Sequence, residues 1–211
     1  MKSHLIFIGA PGSGKGTQAT RFVADKNFKH VSTGDLLRAE IAKKSDLGLE
    51  VKKVMDAGQL VSDELVIRLL QANIDLKTSQ YIFDGYPRNI AQSKTLDAEV
   101  LKDSNSVAIY FDIDISRLVQ RLTNRRTCKD CGAIYNLISK MPKIEGKCDQ
   151  CGSTNLIQRA DDKEEVIENR LKVFQETITP VLNYYQDLGR LIKVNAEESP
   201  DAIFNKISSK V

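Results

Sequence analysis

No run of about 18 apolar residues occurs in the chain, which excludes a membrane-spanning helix. There is no internal repeat and no low-complexity tract, so disorder, collagen and coiled-coil arrays are set aside. An excess of one charge is lacking too. The 31 Lys and Arg stand against 28 Asp and Glu, and a net +3 is not the composition of a polybasic nucleic-acid binder. Histidine is confined to His4 and His30; both lie in or beside expected strands and are read as packing residues. Lys2 and Leu5-Ile6-Phe7-Ile8 imitate a secretory leader, but the apolar run is shorter than the roughly 7–15 residues a leader needs. The first strand of a cytosolic domain is the expectation. What remains is ordinary: 211 residues, 41% apolar and 28% charged. This describes a soluble globular domain, with or without a small insertion.

Short apolar runs alternate with longer helical patterns. Strands are expected at Leu5–Ile8, His30–Val31, Tyr81–Phe83, Val107–Phe111 and Leu191–Val194. Most are continuously apolar, the mark of parallel strands buried on both faces. A helix from Lys15 to Asp25 follows the first strand. Ser62, followed by Asp63 and Glu64, opens another, with acids at the positive end of the dipole. Asp114 or Ser116 starts a third. A long helix from Lys163 towards Tyr185 should be bent or broken at Pro180. Ser199-Pro200 opens the last. This alternation predicts an α/β fold with a parallel sheet and right-handed crossovers. Residues 126–160 interrupt it with all four cysteines, Pro142 and three turn-forming glycines. Residues 32–61 are a second, helical insertion.

Gly9-Ala-Pro-Gly12-Ser13-Gly14-Lys15-Gly16-Thr17 matches G-x-x-x-x-G-K between a strand and a helix. Glycines let successive N–H groups turn inward as an anion nest, and the helix adds its positive end. Lys15 supplies a cation for β- and γ-phosphates. Gly16 stands where this motif has Ser or Thr, so Thr17 is the nearest hydroxyl. The bland alternative is a β–α turn without a ligand.

Cys128-x2-Cys131 and Cys148-x2-Cys151 are separated by 16 residues, a zinc-site spacing. Four thiolates fill a tetrahedral shell and leave no position for a reactive water, so the metal is expected to be structural. Redox pairs or disulfides are the other reading, and iron is the other metal. The segment carries neither clustered aromatics nor a dense Lys/Arg run, which argues against a nucleic-acid-binding ribbon.

Arginines recur beside expected strand ends. Asp84-Gly85-Tyr86-Pro87-Arg88 follows a buried strand, where an acid would organise magnesium near the phosphate loop. Ser32-Thr33-Gly-Asp-Leu-Leu-Arg38 enters a helix that Thr33 could cap. Arg125-Arg126 precede the cysteine segment, Arg159-Ala-Asp161-Asp162 follow it, and Arg170 lies beyond. Singly each arginine reads as surface, and Arg159 could simply pair with Asp161 or Asp162. Together they surround one phosphate site.

GAPGSGKGT, STGDLLR, DGYPR, NRR and RADD, in this order, resemble adenylate kinase over essentially the whole chain. The form resembled is the long-lid one, with a four-cysteine zinc lid. The resemblance implies reversible transfer between Mg-ATP and AMP, yielding two ADP. It implies a P-loop three-layer core with a five-stranded parallel sheet (residues 1–31, 62–123 and 163–211). A nucleoside-monophosphate-binding part (32–61) and a lid (124–162) would move against that core. Gly12 to Thr17 would hold ATP phosphates. Ile134 and Tyr135 would meet its adenine or ribose, and the loop near Glu198 would touch adenine through its backbone. Thr33, Arg38, Gly85, Tyr86, Pro87, Arg88 and Gln92 would hold AMP with the backbone of Gln59, Leu60 and Val61. Lys15, Arg88, Arg125, Arg159 and Arg170 would neutralise the phosphates in transfer, and Asp84 would order Mg²⁺ through water. Small nucleotides would be the only partners, with neither nucleic acid nor membrane, for a monomer in the cytoplasm. A UMP or CMP kinase, a P-loop switch or ATPase with an RNA- or protein-binding ribbon, and a non-catalytic relative are the rival readings.

Overall fold

The computed structural model describes residues 3–102 and 104–211. Lys2, and Met1 and Asp103 of the expected core segments, lie outside them. Strands β1 (His4–Gly9), β2 (Lys29–Ser32), β3 (Tyr81–Asp84), β4 (Ser106–Asp112) and a C-terminal strand at Leu191–Asn195 form one parallel sheet. Its order is β2, β3, β1, β4 and then the C-terminal strand. β1 is thus central, and Leu5 and Ile6 are fully buried on its opposite faces. That accounts for the unbroken apolar run, because helices cover both faces. One face packs Ile6, Phe83 and Leu70 with Val181 and Tyr185. The other packs Leu5, Phe7 and Phe22 with Phe204.

Helix α1 (Lys15–Lys26) leaves the end of β1. Helices α2 (Thr33–Ala42) and α3 (Asp46–Asp56) come between β2 and α4 (Asp63–Asn73). Helix α5 (Ile90–Thr95) runs on through a π-helical segment, Leu96–Leu101. Helix α6 (Leu118–Thr123) leads to a separate antiparallel sheet of β5 (Arg125–Cys128), β6 (Ile134–Asn136) and β7 (Leu156–Ile157), with β5 central. Helix α7 (Glu164–Asp187), the C-terminal strand of the main sheet (β8) and α8 (Pro200–Ser208) complete the chain.

Three local expectations change. Helix α7 runs unbroken through Pro180. An internal proline costs about 3 kcal/mol, but Val181 and Tyr185 just beyond it are fully buried in the core, so tertiary packing overrides the local penalty. Ser32 rather than Thr33 caps α2, its hydroxyl accepting from the Asp35 N–H at 3.3 Å. Ser62 occupies the N-cap of α4 without a side-chain bond. Pro200 does sit in the first turn of α8, behind a Ser199 cap.

Candidate functional site

The phosphate loop is the turn between β1 and α1. Gly12 (φ 82°) and Gly14, the N-cap of α1 (φ 94°), adopt left-handed backbone that a Cβ would strain. Ser13, Gly16 and Thr17 occupy the same turn and the first helical turn. Lys15 Nζ folds back to donate to the Gly9 and Ala10 carbonyls at 2.8 and 2.9 Å. Burial pushes its ammonium down to about 8; the Asp84 charge resists, while Arg88, Arg170 and Arg125 add to the fall. The lysine therefore sits in surplus positive charge.

Asp84 ends β3, level with Phe7 of β1 and Ser32 of β2. His30 Nε2 lies 3.2 Å from its Oδ2. His30 is therefore more than a packing residue, whereas His4 is buried and accepts from the Tyr81 N–H at 3.1 Å. Burial alone would raise the Asp84 carboxyl. The His30 hydrogen bond and the Lys15 charge outweigh it and hold the group below the usual carboxylate range. After Asp84 the chain turns sharply through Gly85 (φ 81°), where a Cβ would stand 2.8 Å from Thr33 Oγ1. The Tyr86–Pro87 peptide is cis. The Gly85 carbonyl accepts from Arg88 Nε at 2.7 Å, which fixes the guanidinium.

Asp162 gathers two of the expected arginines. Arg125 donates to it through Nε (2.8 Å) and Nη2 (2.5 Å), and Arg170 Nη1 through a 3.2 Å bond. Arg170 also reaches Asp161 at 3.1 Å. Asp162 is fully buried and these arginines mostly so. The alternative pairing of Arg159 with Asp161 or Asp162 is not formed: Arg159 Nε donates to Thr127 Oγ1 at 2.9 Å. Desolvation and neighbouring guanidiniums bring both Arg88 and Arg159 down to about 10. Cations that depress one another in a half-dry cleft form a strong anion site.

A cleft opens beside Arg88. Thr33 and Leu37 of α2, Gln59, Leu60 and Val61 of the loop between α3 and α4, Gly85, Tyr86 and Gln92 line it. The Tyr86 ring is buried and its hydroxyl finds no hydrogen-bond partner among the described residues, so it serves as wall. Gln92 Nε2 donates to Asp63 Oδ1 at 2.6 Å, and its Oε1 accepts from the Arg88 N–H at 2.7 Å. Arg38 pairs with Asp35 at 2.5 Å.

In the cysteine segment all four Sγ atoms lie within 4.8 Å of one another. Cys128 to Cys151 is 3.6 Å and Cys131 to Cys148 is 3.5 Å. A disulfide needs about 2.05 Å, whereas a Zn–S bond of about 2.3 Å gives a tetrahedral edge near 3.8 Å. The donor set fits zinc. Strand alternation sends Ile134 and Tyr135 opposite ways. Ile134 Cδ1 comes 3.5 Å from where a Cβ on Gly16 would stand, so this segment lies over the phosphate loop. The Tyr135 side chain turns into the segment instead. Its hydroxyl lies 3.3 Å from Cys148 Sγ and accepts from the Asp149 N–H at 2.7 Å. That hydroxyl holds the Cys148 thiol down to about 6. The Tyr135 side chain is thus held against a cysteine sulfur. Glu198 is exposed and pairs with Lys206 at 3.7 Å; its loop is tied to α1 by Gln18 Nε2 donating to the Pro200 carbonyl at 2.9 Å.

His30, Asp63 and Asp162 had no assigned role in the site. Position in the RADD motif was the one signal for Asp162. Nothing local marks His30 or Asp63, whose partners lie 54 and 29 residues away.

Residues 7–190 match the family model described as adenylate kinase. An adenylate kinase of Thermodesulfovibrio yellowstonii is 45% identical over 208 residues, covering 96% of each chain. Those of Thermosipho africanus and Lactobacillus acidophilus are each 42% identical, over 210 and 211 residues; coverage is 97% of both chains for the first, and 98% of this chain and 96% of the relative for the second. Among the described residues no helix is long and apolar enough to cross a membrane. With a matched span that takes in phosphate loop, cleft and cysteine segment alike, the chain belongs to the adenylate kinase family and is an enzyme, a nucleoside monophosphate kinase.

Proposed function

We propose that the chain transfers a phosphoryl group reversibly from Mg-ATP to AMP, giving two ADP. One observation carries this reading: the charges of Arg88, Arg125 and Arg170 all bear on Lys15 of the phosphate loop, and Arg88 also lines the cleft. A switch or simple ATPase has no need of a second pocket carrying an arginine such as Arg88. ATP phosphates would lie in the nest of Gly12 to Thr17, with Ile134 above them. AMP would enter the cleft, its base towards Gln92 and its phosphate towards Arg88 and Arg38.

The acceptor is a phosphate oxygen, already anionic at pH 7, so no general base is required. Catalysis is then alignment plus charge neutralisation. Arg125 and Arg170 are pre-aimed by Asp162, and Arg159 by Thr127; bidentate guanidinium suits a phosphoryl group whose charge spreads in transfer. Asp84, mostly buried and held ionised beside Lys15, fits a hydrated magnesium ion. Magnesium bound with ATP would supply further neutralisation of the phosphates. The segment 124–162 would act as a lid that excludes water, the competing acceptor. Zinc held by Cys128, Cys131, Cys148 and Cys151 would brace it. Residues 32–61 would carry the AMP side, and the remainder the fixed core.

ADP formation from ATP with AMP, GMP, CMP or UMP tests the reading, together with binding of a mimic that joins two adenosines through a phosphate chain. Preferred turnover of AMP and tight binding of the mimic are expected. Failure of the mimic to bind, or equal turnover of all four monophosphates, would overturn it.

A further inference from the structure

We infer that Asp63 sets base specificity by locking the Gln92 amide in one orientation. This rests on the cleft being the AMP site. Gln92 is 2% exposed, and its backbone is anchored where Asn89 Oδ1 accepts from its N–H at 2.8 Å. Its side chain is held at both ends, by Asp63 Oδ1 on Nε2 at 2.6 Å and the Arg88 N–H on Oε1 at 2.7 Å. An ionised carboxylate only accepts and a backbone N–H only donates. Turning the amide over would set its oxygen against the carboxylate and its NH₂ against the Arg88 N–H. The chemistry of the two partners, not a choice of atom labels, thus decides which end is nitrogen.

After those two bonds the amide keeps one N–H and one oxygen lone pair. Adenine presents an acceptor ring nitrogen beside a donor amino group. Guanine presents a donor ring N–H beside an acceptor carbonyl. An amide free to turn over serves either edge. One held in a single orientation pairs with one edge and sets like against like on the other. The lock therefore turns an ambiguous reader into a discriminating one, sorting amino-bearing from oxo-bearing bases. Asp63 comes from the first turn of α4 and acts through Gln92; it is a positioning residue.

The test is the ratio of kcat/KM for AMP to that for GMP, with ATP as donor, in the full chain and its variants. Asp63→Asn keeps the shape, but its own amide can accept or donate, so that only the Arg88 N–H still opposes turning Gln92 over. The AMP preference is expected to fall about tenfold, through KM rather than kcat, with the melting temperature little changed. Asp63→Glu, which can only accept, is expected to restore much of the preference. Asp63→Ser, too short to reach, replaces the Asn variant if that one does not fold. A folded Asn or Ser variant that keeps the wild-type ratio, or loses AMP and GMP in equal proportion, would overturn the role of Asp63 alone. Wild-type enzyme that does not bind AMP in calorimetry would overturn the reading of the cleft, and this inference with it.

Discussion

The core and the cysteine segment are built on opposite principles. In the core, Leu5, Ile6, Ile82 and Phe83 are fully buried on a sheet covered by helices on both faces. Burying one such side chain stabilises by roughly 1.5–3 kcal/mol, so the core holds itself together. The apolar cluster of residues 126–160 holds only Cys128, Tyr135 and Cys148 as buried members, with Ala133 and Leu156 against them. Its larger apolar residues face outward: Ile138 is 60%, Met141 65% and Ile144 62% exposed. A unit this small cannot stabilise its own fold by apolar burial. On the proposed reading, cohesion would come from four thiolates around one ion. A part proposed to swing over substrates would need to be rigid inside yet weakly bonded outside, and a metal would provide that combination where a larger apolar core would not.

Removing the metal should break the comparison most. Structural zinc sites are worth on the order of 10–16 kcal/mol in small peptides. With a chelator, amides in 125–157 should lose hydrogen-exchange protection while those of β1, β3 and β4 keep theirs. Identical melting of metal-free and metal-loaded enzyme would remove zinc's bracing role. On the other side, Phe83→Ala should cost about 3–5 kcal/mol, and denaturant melts should show the whole protein destabilised, not the lid alone.

Where the two regions meet, Arg125→Ala should lower kcat by about 10²–10³ while circular dichroism stays native. A near-normal kcat would exclude Arg125 from the transfer. The smallest effect concerns protons. Lys15 is charged below about pH 8 in the free fold and up to 10.5 when unfolded. The unfolded chain holds more protons between those values, so this group's contribution to stability rises with pH there. A bound anion raises its pKa. Calorimetry in buffers of different ionisation enthalpy should show proton uptake on ATP binding above pH 8 and little at pH 6.5. Uptake independent of pH would mean that Lys15 is not the group concerned.

Much of the site was legible because it is local. The phosphate loop needs glycines and a lysine at fixed offsets, and the metal needs two C-x2-C pairs; both are short-range facts. The five strands of the main sheet were legible to within one residue at each end because burial on both faces leaves a continuous apolar signature, whereas β5, β6 and β7 carry none. Pairings across the chain were not. His30 meets Asp84 because β2 and β3 lie side by side in register, not because of anything near residue 30. Asp162 takes Arg125 and Arg170, leaving Arg159 to Thr127, because β5 and α7 converge there.

The sequence alone determined the chemistry available: an amide nest for phosphate, guanidinium for its charge, four sulfurs for one ion. Tertiary structure decided how each group is aimed. Tyr135 points at a cysteine and Ile134 at the phosphate loop because neighbours on a strand face opposite ways. Gln92 reads one way round because α4 brings Asp63 to one end of its amide and the β3–α5 turn brings the Arg88 N–H to the other. Residue type sets which bonds a group can make, but orientation depends on partners that only the folded chain brings near.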